Sequence, residues 1–236
     1  MKTENKFLMK QAREALAGKW KLAVGVSFIY MLILFVFGYP PHNIGTGLSF
    51  LISAPLMIGW AAFSLSLSRG KEAKLSQLFV SFHEFNEYIR ALTAYLVIFI
   101  FAFLWFLLLI VPGIIAFISY SQTYYILAED KSISARDAVK KSKAMMRGNK
   151  KKLFFLMLRF FGWGLLFMAM LVIGFILLPL PRFFGWGLLC VFISGIAYVW
   201  LMPYVQVTLA KFYDDISGKS VPVSGASQET VANPAL

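Results

Sequence analysis

The chain has 236 residues, of which 59% are hydrophobic and 14% charged. A soluble domain carries about 25% charged residues, so this composition excludes a water-soluble globular surface and implies a chain that lies mostly in a bilayer. The net charge of +12 sits beside apolar runs and not on a separate domain, which argues for membrane sidedness and anionic headgroups over nucleic acid. The single cysteine, Cys190, excludes an intramolecular disulfide and a cysteine metal cluster.

Residues 1–21 carry six Lys/Arg. Within them Leu8, Ala12, Ala15 and Leu16 fall on one helical face. Gly18-Lys19-Trp20-Lys21 then leads into a first span over 21–38. The apolar run from Leu22 ends at Tyr39-Pro40-Pro41 and not at a small-residue cleavage site, so the span is read as retained. A loop holding His42 precedes a second span over 48–68, which contains Pro55, Ser64 and Ser68. Residues 69–90 add four Lys/Arg. Leu75, Leu78, Phe79, Phe82 and Ile89 form a second apolar stripe there.

A third span is predicted over 91–111 and a fourth over 113–128, separated at Val111-Pro112-Gly113. Pro stops a helix and Gly permits the reversal. A single helix over 91–128 would measure about 57 Å at 1.5 Å per residue, far beyond a hydrocarbon core of about 30 Å. Residues 129–152 hold nine basic and three acidic residues. Their apolar stripe is Ala135, Ala138, Val139, Met145 and Met146, bordered by Arg136, Lys140, Lys141, Lys143 and Arg147. Ser134 is placed to cap this helix, with Asp137 three residues on. Gly148-Asn149-Lys150-Lys151-Lys152 repeats the earlier Gly-basic entry. A fifth span covers 153–178, with Arg159 near enough to its start to snorkel. Arg182 lies in the next turn, and a sixth span covers 185–210. Residues 217–236 are a polar tail expected to be disordered and cytoplasmic.

The loops 39–47 and 111–113 contain no Lys or Arg, and 179–184 contains only Arg182. Six spans with both termini inside place every basic segment in the cytoplasm. All eleven acidic residues fall on the same side. The predicted fold is all-α: six transmembrane helices as three hairpins, each preceded by a cytoplasmic amphipathic helix. Spans four and six also match, with Ser119-Tyr120-Ser121-Gln122 beside Pro203-Tyr204-Val205-Gln206 and with Glu129-Asp130 beside Asp214-Asp215. Pro55 lies near the matching depth of span two. A weak threefold repeat is inferred.

No catalytic, cofactor or metal site is expected. His42 and His83 fall on opposite sides in this topology, and no phosphate loop, G-x-S-x-G elbow or H-E-x-x-H is present. Two candidate sites remain. Lys19, Lys21, Arg136, Lys140, Lys141, Lys143, Arg147, Lys150, Lys151 and Lys152 are candidate contacts for anionic lipid headgroups. Ser119, Gln122, Thr123, Tyr198 and Gln206 are a candidate polar site within the spans, for which simple interhelical hydrogen bonding is the other reading. Gly162, Gly164, Gly185, Gly187 and Gly195 are expected to permit close helix approach. Trp20, Trp60, Trp105 and Trp186 fit interface belts or core filling.

Gln11-Ala12-Arg13-Glu14-Ala15-Leu16-Ala17-Gly18-Lys19-Trp20, Pro55-Leu56-Met57-Ile58-Gly59 and Val111-Pro112-Gly113-Ile114 carry a resemblance to a family. So does the stretch from Ala128-Glu129-Asp130 through Asp137-Ala138-Val139-Lys140-Lys141-Ser142. Over roughly residues 5–215 the chain resembles the bacterial integral membrane proteins known as domain of unknown function 975. It is more distantly similar to the membrane domains fused to some glycerophosphodiester phosphodiesterases, whose catalytic domain it lacks. The resemblance implies a bacterial plasma membrane protein and is silent on activity. The expected function is non-enzymatic binding of lipid headgroups or partner proteins through the basic helices. A transporter or exporter component with a polar intramembrane site is the alternative, and protection against a peptide toxin a second one.

Overall fold

In a computed structural model, residues 4–38 and 44–219 are described, and all their regular elements are helical. Helix α1 (Asn5–Leu16) turns at Gly18 into α2 (Trp20–Gly38), and α3 (Ile44–Ser68) returns. A 3-10 helix (Leu75–Phe82) leads to α4 (Phe85–Leu108), followed by the short α5 (Ile110–Tyr120) and α6 (Thr123–Glu129). Then come α7 (Ala135–Met145), α8 (Lys150–Leu177) and α9 (Phe184–Ser217). His42 and the tail from residue 220 lie outside the described residues.

Five helices among the described residues, α2, α3, α4, α8 and α9, are long and apolar enough to cross a membrane. The segment expected as span four is not one helix. At 1.5 Å per residue the 11 residues of α5 reach about 16 Å, half a hydrocarbon core. Ser121 and Gln122 separate α5 from α6, yet both keep right-handed helical backbone angles, so the chain bends without reversing. The reversal before it comes two residues earlier than predicted, at Leu109, whose backbone is extended (φ −163°, ψ 142°). Pro112 sits in the first turn of α5, where its missing N–H has no helical partner to lose. Gly113 serves packing: a Cβ there would stand 2.7 Å from the Phe106 ring.

Two other expectations shift. The stripe over 75–89 is divided, because the 3-10 helix ends at Phe82 and Ile89 already belongs to α4. His83 lies between them with Nδ1 2.9 Å from the Phe79 carbonyl oxygen. Helix α9 continues past 210 and takes Asp214 and Asp215 into its last turns. The cap on α7 is as predicted: the Asp137 N–H donates to Ser134 Oγ at 3.2 Å.

The buried core lies at one end of the molecule. Helix α3 is its axis, with 61% of its most apolar window buried, against 17% for α2 and 11% each for α4, α8 and α9. Leu56, Phe63 and Leu67 of α3 meet Ala12 and Leu16 of α1, Ala23 of α2 and Leu78 of the 3-10 helix. The other long helices leave Phe28, Phe35, Phe103, Phe155, Phe175 and Phe192 exposed. Apolar surface of that extent is compatible with hydrocarbon and not with water. Trp60 is a core residue, edge-on to Tyr30 at 3.9 Å. Of the glycines expected at helix contacts only Gly187 serves one. A Cβ on it would meet Gly174 O at 2.9 Å, whereas Gly162, Gly164, Gly185 and Gly195 face open space.

Helices α3 and α9 end alike. Gly70 (φ 69°) and Gly218 (φ 73°) hold left-handed turns that would strain any residue with a Cβ. Each closes its helix with a six-residue hydrogen-bonded loop, Lys71 N–H to Ser66 O at 2.9 Å and Lys219 N–H to Asp214 O at 3.0 Å. The spacing from Pro55 to Gly70 equals that from Pro203 to Gly218. These matched ends bring charged residues far apart in the chain together.

Candidate functional site at the charged end of the bundle

Arg69 follows α3, Glu129 ends α6 and Asp214 lies in the last turns of α9. The Arg69 guanidinium donates to Asp214 Oδ1 from Nε at 3.0 Å and from Nη2 at 2.7 Å. The same Nη2 donates to Glu129 Oε1 at 2.7 Å. Ser68 Oγ donates to Asp214 Oδ2 at 2.9 Å, Tyr213 Oη to Glu129 Oε2 at 2.7 Å, and Lys219 Nζ lies 3.0 Å from that oxygen. Each carboxylate oxygen thus has a donor. Burial by itself would raise the Glu129 carboxyl. The hydrogen bonds from Tyr213, Lys219 and Arg69 outweigh it and hold the group down at about 2. Arg69 is held above its usual value although burial opposes its charge, because Asp214 and Glu129 bond to it.

A second tie lies beside it. Lys152 Nζ is 2.6 Å from Asp215 Oδ2 and 5.5 Å above the Phe212 ring, and Asn5 Nδ2 donates to Lys152 O at 3.0 Å. Arg90 closes the turn after α6, donating to the carbonyls of Leu127, Asp130 and Lys131. The first cluster was half visible in the sequence, since Glu129 and Asp214 stand at matching helix ends. Arg69 occupies the corresponding end of span two and completes the set.

The basic residues predicted to face headgroups divide into two groups. Arg136, Lys140, Lys141, Lys143, Arg147 and Lys151 are exposed, and Lys21 is exposed at the start of α2. Lys150 and Lys19 are half-buried, and Lys19 Nζ donates to Lys71 O at 3.3 Å. Lys152 is taken up by Asp215. The opposite side of α7 is spent inside the protein, where Ala138 joins the main core and Val139 packs with Ala116 and Tyr120.

The candidate intramembrane site is not assembled as one group. Ser119, Gln122 and Thr123 are buried together at the bend between α5 and α6. The hydroxyls of Ser119 and Thr123 donate to Ile115 O and Tyr120 O of the chain just before them, at 2.6 and 2.8 Å. Such local bonds satisfy the hydroxyl without a ligand. Gln122 donates to Ser121 Oγ at 3.1 Å. Gln206 accepts from Tyr125 Oη at 3.0 Å, which ties α9 to α6 just beyond Thr123. Tyr198 is exposed, two turns earlier along α9. Among the described residues no three His, Cys, Asp or Glu form a group able to hold a metal.

No curated protein and no solved structure matches the chain. The family described as Protein of unknown function (DUF975) matches residues 1–120 and 106–220, nearly the whole length. The bent α5–α6 segment, the α1–α2 entry and the Pro55–Gly59 stretch of α3 all lie within the matched residues, and the chain belongs to that family.

Proposed function

We infer that this protein is a six-pass membrane protein, with both termini in the cytoplasm of a bacterial cell, whose basic inner surface binds anionic lipid headgroups. The observation that carries the reading is the outer face of α7 and the start of α8. Arg136, Lys140, Lys141, Lys143, Arg147 and Lys151 are all exposed there, and Asp137 is the acidic residue paired within them, 3.5 Å from Lys140. The apolar side of α7 is already buried in the bundle, so attraction is electrostatic and not by insertion. Each such residue near an anionic surface contributes about 1 kcal/mol, within a Debye length of about 8 Å at physiological salt. In this topology α5 and α6 together form the fourth pass.

Replacing Arg136, Lys140, Lys141, Lys143 and Arg147 by Gln is expected to remove most of the salt-dependent association of the detergent-purified protein with vesicles containing phosphatidylglycerol. Flotation measures it. Unchanged flotation rules out this surface as the binding face. The topology has its own test: a cysteine at Lys141 or Lys151 is expected to resist a membrane-impermeant thiol reagent in intact cells and to react after lysis. Labelling from outside overturns the six-pass arrangement.

A further inference from the structure

Beyond this surface attraction lies a cleft of different character. Helices α2, α8 and α9 part around a cavity of about 1090 Å³ whose walls are almost wholly apolar, among them Phe28, Met31, Phe167 and Leu171. At its inner end Trp20 stacks on Trp200, with ring centroids 4.7 Å apart and planes inclined by 13°. A second space of about 620 Å³ shares Trp20, Phe167 and Trp200 with the first and is lined also by Arg13 and the Tyr204 ring. The two spaces adjoin at the tryptophan pair, an apolar basin beside a smaller vestibule whose polar groups come from Arg13 and Tyr204.

Arg13 lines the vestibule and Lys21 the basin, while Arg159, two turns into α8, lines neither and reaches the vestibule's edge through Met9. The Arg159 guanidinium is 3.9 Å from Met9 Sδ, and Tyr204 Oη donates to Met9 O at 3.3 Å. Arg13, Lys21 and Arg159 form none of the ion pairs found among the described residues. The basin alone slightly exceeds the roughly 300–1,000 Å³ of ordinary small-molecule clefts.

We propose that this cleft holds one anionic phospholipid, acyl chains in the α2–α8–α9 basin and phosphate against Arg13, Lys21 and Arg159. The complementarity is of two kinds in one place, an apolar wall for chains and unpaired positive charge for the headgroup. The inference extends the headgroup-binding reading but rests on different residues, so the two can fail separately.

The test is native mass spectrometry of the full chain in mild detergent with added phosphatidylglycerol, phosphatidylcholine or inorganic phosphate. One phosphatidylglycerol per chain is expected to be retained, about tenfold or more tighter than phosphatidylcholine, with no retention of inorganic phosphate. Arg13→Gln with Arg159→Gln is expected to erase that preference. Gly25→Leu with Gly195→Leu fills the basin from α2 and α9. A Cβ on either glycine meets nothing within 4 Å, so this variant is expected to fold and to retain neither lipid. The Gln variant of α7 is expected to keep the single bound phosphatidylglycerol. A filled basin that still retains lipid, an arginine variant that still discriminates, or equal retention of inorganic phosphate overturns the proposal. If the α7 variant alone releases the lipid, the surface reading stands and the cleft is discarded.

Discussion

Arg69→Met is expected to destabilise the folded protein by about 3–5 kcal/mol, the cost of leaving buried charge without its partner. Asp214 is 4% exposed in its side chain, Glu129 18% and Arg69 17%, so the cost falls mainly on Asp214, where little water can replace the guanidinium. Ser68 would remain on Asp214, and Tyr213 and Lys219 on Glu129, but the two oxygens now bonded by Arg69 would be stripped. The ends of α3 and α6 would lose their shared partner and be tied to α9 only by the Ser68–Asp214 and Tyr213–Glu129 bonds. Unfolding of the purified protein in mixed detergent micelles measures the change. Adding Asp214→Asn and Glu129→Gln to Arg69→Met is expected to recover part of the loss, because it removes the stranded charges. The exposed Lys10–Glu14 pair, 4.0 Å apart on α1, sets the scale for a surface contact, and breaking it is expected to cost 1 kcal/mol or less. If Arg69→Met costs no more than that pair, the cluster is a surface feature and does not hold the bundle together.

The parts of this fold that were legible in the sequence are those governed by local chemistry. Apolar runs of membrane length gave the five long helices, Ser134 and Asp137 gave the start of α7, and the periodicity of Leu8, Ala12 and Leu16 gave the buried side of α1. The misplacements have tertiary causes. Nothing in Ile118-Ser119-Tyr120-Ser121-Gln122-Thr123 is a helix breaker. The bend follows packing, with α5 on α4, α6 on α3 and Ser142 of α7 donating to Ser119 O at 2.9 Å. The polar residues of the spans were legible as polar but not as partners. A hydroxyl bonding back along its own helix looks the same in sequence as one facing a solute. Lys152 was indistinguishable from Lys151 by type, and only the approach of α9 separates a lysine paired to Asp215 from one that faces outward. Arg69 was read only as positive charge beside a span, since its role depends on two residues far away in the chain.

Gly59→Ala is expected to cost about 4 kcal/mol or more, in the exceptional range for a single substitution. Gly59 sits in α3 where the 3-10 helix crosses it, and an added Cβ would collide with the Leu78 carbonyl oxygen and stand 2.8 Å from Leu78 Cα. These are backbone atoms, so no rotamer change relieves the clash. The 3-10 helix cannot lift without exposing Leu78, which is fully buried, and without loosening the hydrogen bond from Gln77 Nε2 to Ser66 Oγ at 3.1 Å. It also feeds directly into α4, so displacement there carries into the next long helix. This is why a small residue is required within Pro55-Leu56-Met57-Ile58-Gly59, a role invisible in the sequence, where Gly59 is one glycine among 17. Gly162→Ala supplies the contrast. Its Cβ would meet nothing within 4 Å, and removing a flexible residue from a helix interior is expected to stabilise by about 0.5–1 kcal/mol. Unfolding midpoints of the two variants in the same micelles decide the matter: equal midpoints would mean that α3 and the 3-10 helix are not in the close contact from which the effect is derived.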